Sequence, residues 1–138
     1  MADREIWRIS REVIVAETST KARELAMDGP IARSWRETAL PTARRFGMPV
    51  ETITGPDAGI GWDDMDELIE YCCEQIWLVG DSDEVAGKLN AFNAGVGGFG
   101  TLLVIAQDWD EEPWKRSMTL LMREVLPRVN DVRQPALP

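Results

Sequence analysis

Residues 75–109 read QIWLVGDSDEVAGKLNAFNAGVGGFGTLLVIAQDW, and this stretch decides the fold class. Residues 76–79 form a short apolar run that ends at Gly80. Asp81 and Glu84 have the spacing of a helix N-cap and its reciprocal partner three residues on. Val85, Leu89 and Phe92 then recur at helical spacing. The glycines of residues 95–100 stop that helix, because glycine tolerates the left-handed backbone of a C-cap. Residues 101–106 are a second uninterrupted apolar run, as expected of a strand covered on both faces. The stretch therefore reads as strand, helix, strand, a βαβ unit with a right-handed crossover.

Upstream, residues 5–17 alternate at Trp7 and Ile9 and become solidly apolar over 13–16, which predicts a strand buried in its second half. Thr18 or Ser19 can cap the next helix, which turns Ala22, Leu25 and Ala26 inward. Gly29-Pro30 interrupts it. Residues 31–46 follow as a helix with Ile31, Trp35 and Ala39 on one stripe, kinked or divided at Pro41. Residues 47–64, punctuated by Pro49, Gly55, Pro56, Gly59 and Gly61, read as a loop insertion, with Trp62 as a candidate lid or interface residue. Residues 65–74 place Met65, Leu68, Ile69, Cys72 and Cys73 on one helical face. Residues 113–130 carry a last helix with Trp114, Met118, Leu121, Met122 and Val125 as its stripe, introduced by acidic residues and Pro113. Residues 131–138 read as a flexible tail.

Three βα units and no hairpin signal imply a parallel sheet. Three strands alone leave open edges. They suit a (β/α)8 barrel with helices outside, which typically takes about 250 residues. With 138 residues, the chain is expected to be a single domain forming part of such a barrel, or to pair with another chain.

A net charge of −9 argues against a phosphate-backbone partner, so no nucleic acid is expected. No apolar run approaches the ~20 residues of a membrane span. Residues 1–5 lead into a mixed strand rather than an apolar leader, so a cytoplasmic location is expected. The chain has no histidine, which removes the usual general base and metal ligand. The only cysteines, Cys72 and Cys73, are adjacent. They read as small buried apolar residues; the lesser alternative is a redox pair or metal site, and one such pair cannot complete a four-ligand zinc site. Gly97-Gly98-Phe99-Gly100 resembles a phosphate-cradling loop, but it precedes a strand, so it reads as structural.

In order and spacing, several motifs resemble the C-terminal portion of the luciferase-like flavin-dependent monooxygenases, a family of (β/α)8 barrels. They are Trp77-Leu78-Val79-Gly80 with Asp83-Glu84-Val85-Ala86; Gly97-Gly98-Phe99-Gly100-Thr101-Leu102-Leu103; Asp108-Trp109; Trp114-Lys115-Arg116-Ser117-Met118; and Glu124-Val125-Leu126-Pro127-Arg128. Residues 7–26 also match the family's strand-then-helix segment. The resemblance implies reduced FMN and transfer of one oxygen atom from O2 to a small organic substrate. It also implies that the N-terminal half of the barrel is absent. Expected partners are a complementing barrel half or a second copy, as in a homodimer, and a flavin reductase. No metal is implied.

Barrel sites lie at the C-terminal ends of strands. Gly80 and Ser82, at a helix N-terminus, are candidate contacts for the FMN phosphate; the alternative is an ordinary N-cap, and Asp81 stands where relatives more often carry serine. Gln107 and Asp108 are candidate catalytic residues, with Gln107 where relatives typically have histidine; glutamine cannot titrate near neutral pH. Trp109 is a candidate flavin contact or a ring closing the barrel end. Lys115 and Arg116 read as a solvated helix face. The function expected is that of a monooxygenase fragment or subunit. The alternative is a non-catalytic, self-associating half-barrel that binds at most a small molecule.

Overall fold

A computed structural model describes residues 6–105 and 111–129. Strand β1 (Arg8–Val15) leads into α1 (Ser19–Met27), α2 (Pro30–Ser34), a π turn (Trp35–Ala39), α3 (Leu40–Arg45), α4 (Glu51–Thr54) and α5 (Met65–Tyr71). A second π turn (Cys72–Ile76), β2 (Leu78–Gly80), α6 (Ser82–Val96) and β3 (Thr101–Ile105) follow. The chain then runs through α7 (Glu111–Leu120), a π turn (Leu121–Val125) and a 3-10 turn (Leu126–Arg128).

The three strands form one parallel sheet in the order β2-β1-β3. Val13 is in register with Leu78, and Arg8 with Thr101. β1 thus lies between the other two, whereas successive barrel strands would follow in chain order with helices on one face only. The connections β1→β2 and β2→β3 run in opposite directions across the sheet, and right-handed crossovers then put their helices on opposite faces. The core divides accordingly. Ile14, Ala16 and Val79 pack with Ala22, Ala26, Ile31, Leu40, Leu68, Ile69 and Cys72 from α1 to α5. Val13, Val15 and Leu78 pack with Val85, Leu89, Leu121 and Val125 from α6 and the α7 region. Alternate residues of β1 feed alternate cores, because a strand points successive side chains to opposite faces.

Both edges of the sheet's middle are closed by side chains. Ala16 N–H donates to Gly80 O at 3.2 Å, so the Val79 carbonyl faces outward, and Lys88 Nζ donates to it at 3.0 Å. On the other edge of β1, the last described residue of β3, Ile105, is in register with Glu12. Beyond it, the Val15 N–H donates to Ser117 Oγ of α7 at 2.9 Å.

Local structure follows the sequence closely in places. Thr18 caps α1, accepting from Lys21 N–H. Asp81 caps α6. Gly97 ends α6 in the left-handed region at φ 78°. Cys72 and Cys73 are free and buried. Elsewhere the packing corrects the expectation. The π turn before Pro41 inserts extra backbone and shifts the helical phase, so Leu40 is buried and Ala39 is exposed. Leu121 and Val125 are buried, but Met122 of the expected stripe is 62% exposed, again where the helix widens into a π turn. Within residues 47–64, Val50 and Thr54 are buried, and Ile53, Ile60 and Trp62 pack against the α1–α5 core. Trp62 therefore serves packing. Residues 131–138 lie outside the described residues.

Candidate functional site

The carboxyl ends of β1 and β2 place two turns side by side, Ala16-Glu17-Thr18 and Gly80-Asp81-Ser82. Ser19 ties them together: its hydroxyl accepts from Asp81 N–H at 3.1 Å and donates to Glu84 Oε2 at 2.5 Å. The Asp81 carboxylate accepts from Glu84 N–H at 2.9 Å, which is one half of the expected capping box. The other half does not form, because Ser19 takes the Asp81 N–H and the Glu84 carboxylate turns to Ser19 and to Lys88, 3.3 Å away. Gly80 is explained by the same network. A Cβ there would lie 2.5 Å from Glu84 Oε2.

Helix α7 and the turns after it cross these strand ends. Arg116 pairs with Glu17 and Arg128 with Asp83, while Ser82 Oγ donates to Glu124 Oε2 at 2.9 Å. The Arg116 hydrogen bond, aided by a backbone hydrogen bond within Glu17, holds the Glu17 carboxyl below the usual carboxylate range. Together these residues line an open cleft of about 260 Å³ with Ala16, Asp81 and Leu120. Arg116 and Arg128, assigned from sequence to a solvated face or to no site, are its cations. Their spacing from Glu124 along one helix was the signal available in the sequence. What it could not give is that this face meets the strand ends.

The candidate residues are therefore only partly brought together. Gly80 and Ser82 adjoin the cleft or line it, and Gln107, Asp108 and Trp109 lie outside the described residues. As a seat for an FMN phosphate the cleft does not fit. Its described residues set four carboxylates (Glu17, Asp81, Asp83, Glu124) against two guanidiniums, a net formal charge of −2. The Ser82 hydroxyl and both guanidiniums already have carboxylate partners.

A second hollow of about 200 Å³ lies between α1, the second π turn and α6, with Cys73 among its lining residues. Burial pushes the Cys73 thiol above its ordinary value of 9.0, so it is no activated nucleophile.

No protein-family model matches the chain. The chain is 36% identical over 129 residues to 3,6-diketocamphane 1,6-monooxygenase of Pseudomonas putida, covering 92% of this chain and 33% of that protein. Over 129 residues it is 29% identical to 2,5-diketocamphane 1,2-monooxygenase 1 of the same organism, covering 92% of this chain and 35% of that one. Its structure superposes with a TM-score of 0.81 and 37% identity on a type II Baeyer-Villiger monooxygenase, over 94% of this chain and 35% of the other. That protein is the oxygenating constituent of 3,6-diketocamphane monooxygenase from the CAM plasmid of P. putida, in complex with FMN. The chain is a relative of the luciferase-like monooxygenases. It spans about a third of the length of the relatives it matches. The resemblance to luciferase-like monooxygenases thus holds in both sequence and backbone, over that share of the relatives' length.

Proposed function

We propose that the chain is part of a flavin-dependent monooxygenase of the luciferase-like class, a fragment or subunit that acts once further chain completes a (β/α)8 barrel, in which β3 would leave β1 and pair with β2 in chain order. The observation that carries this reading is the superposition on an FMN-bound Baeyer-Villiger monooxygenase over 94% of the chain. Bound FMN would supply activated oxygen from O2. The substrate class is a small organic molecule, with ketones favoured by the relatives' names. In this reading Gln107 and Asp108 are the chain's groups toward the reacting centre. Gln107 can donate and accept a hydrogen bond without changing charge, so its role is to orient rather than to move a proton. Trp109 offers a ring to the flavin. The partners are the remaining barrel segment and a reductase that delivers reduced flavin, and the location is cytoplasmic. Among the described residues no helix is long and apolar enough to cross a membrane.

The test is an FMN titration followed by flavin fluorescence, first with the chain alone and then with a complementing segment matching the rest of a diketocamphane monooxygenase. Saturable micromolar binding in the mixture supports the reading. Absence of binding up to millimolar FMN in both samples rejects it.

A second reading, a self-associating half-barrel, draws on one observation. Near β3, Ile6, Trp7 and Leu103 are 73%, 45% and 47% exposed, an apolar surface of the kind that seeks cover. Light scattering on the purified chain separates the two: a homodimer favours self-association, and a monomer excludes it.

A further inference from the structure

We infer that the cleft at the carboxyl ends of β1 and β2 is closed to phosphate by the chain's own carboxylates, so that any flavin phosphate is held elsewhere. The inference builds on the flavin reading above and bears on where such a flavin could sit. Three features of the structure carry it.

The first is position. In an open parallel sheet, ligands enter outside the carboxyl ends of the strands. The cleft lies at the carboxyl ends of β1 and β2, beside the β1/β3 point where the connections reverse, and α7 residues Arg116 and Leu120 line it. Ser117 takes the Val15 N–H and Arg116 takes Glu17, so α7 side chains satisfy groups that a ligand would otherwise meet. The second is donor supply. Arg116, Arg128 and the Ser82 hydroxyl are the cleft's side chains suited to gripping a phosphate, and each is bound to a carboxylate: Glu17, Asp83 and Glu124. The third is sign. The Asp81 carboxylate sits on the first turn of α6, taking the Glu84 N–H, where the helix would otherwise offer positive potential to an anion. A phosphate would have to displace three carboxylates and then sit beside a fourth. The Glu17–Arg116, Ser82–Glu124 and Asp83–Arg128 contacts join the β1–α1 turn, the start of α6 and the α7 region with its following turns, so the same contacts clasp the C-terminal turns onto the strand ends.

Removing the negative charge should therefore create an anion site. Inorganic phosphate and FMN are titrated by calorimetry into the full chain, into Glu124→Gln, and into the double variant Glu17→Gln with Glu124→Gln. Both substituted positions are exposed, and circular dichroism checks the fold. The expected result is no saturable phosphate binding to the parent chain and at least a tenfold gain in affinity in the double variant, with Glu124→Gln between them. If the double variant does not fold, Glu124→Gln alone decides: a gain supports the inference and no gain overturns it. The inference is also overturned if the parent chain binds phosphate saturably and Ser82→Ala or Arg116→Gln weakens that binding tenfold. FMN separates the two readings. FMN binding that phosphate does not compete for, and that Ser82→Ala leaves unchanged, supports both. FMN binding lost in Ser82→Ala and competed by phosphate keeps the flavin reading and overturns this one. No FMN binding in any form, even with the complementing segment, rejects the flavin reading while the phosphate titrations still decide this one.

Discussion

Trp77 and Trp35 meet edge to face, with ring centroids 5.6 Å apart, yet their indole N–H groups fare differently. Trp35 donates to the buried Glu12 carboxylate at 3.0 Å, whereas the buried Trp77 N–H has no partner. An unpaired buried donor costs about 1–3 kcal/mol, which offsets much of what the larger ring gains by packing. Trp77→Phe is therefore expected to change stability by no more than about 1 kcal/mol. Trp35→Phe strips a buried carboxylate of a donor and should cost about 1–3 kcal/mol. Urea unfolding of both variants checks the order, and the reverse order would contradict it. Cys72 gives a pH prediction. Burial, with help from Glu12 and Cys73, pushes its thiol up from 9.0 to about 12. The raised value contributes stability that is fully present below pH 9.0 and is lost as the pH rises toward about 12, since the unfolded thiol releases its proton first. The urea midpoint should fall as the pH rises from about 9 toward about 12, and less so in Cys72→Ala. The burial of both cysteines was legible in the helical spacing of residues 65–74. The buried Glu12 was not, because an acid in a strand declares nothing about a tryptophan 23 positions away.

Among the elements, β2 is short and lies at a sheet edge, yet all three of its residues are buried. Lys88 makes this possible. Its ammonium satisfies the outward Val79 carbonyl and pairs with Glu84, so the edge offers a charge where another strand would need an acceptor. Lys88→Met keeps the apolar stem and removes the donor. It is expected to cost about 1 kcal/mol and to raise self-association, checked by urea unfolding and light scattering. A variant that is neither less stable nor more associated would show that the edge needs no such cover. The strands and the long helices were visible as periodicity and apolar runs. The π turns were not, since they respond to how helices settle against the sheet, although Pro41 marked the place of one of them.

At the scale of the molecule, the two cores grip β1 from both sides while β3 is covered mainly on the α6–α7 side. Leu102 and Val104 pack there, and Leu103 is 47% exposed. Amide hydrogen exchange should accordingly be slowest at Val13, Ile14 and Val15 and measurably faster at residues 101–105. Equal protection of the two strands would mean that β3 is covered in solution by a second copy or another chain, as the self-association reading requires.

What the sequence alone determined is local: the strands at residues 8–15, 78–80 and 101–105 within three residues at their ends, the caps at Thr18 and Asp81, the stop at Gly97, and kinship with the luciferase-like monooxygenases. Periodicity, capping and motif spacing act over a few residues, so they can be read without coordinates. Tertiary structure alone decided that β1 lies between β2 and β3, that helices cover both faces, and that the strand-end cleft is filled by its own ion pairs. Those outcomes join residues as far apart as Glu17 and Arg116, or Val15 and Ser117, separated by 99 and 102 positions. Contacts at such separation arise from which sheet edge a strand finds and which face a helix covers, and no short pattern in the chain encodes either choice.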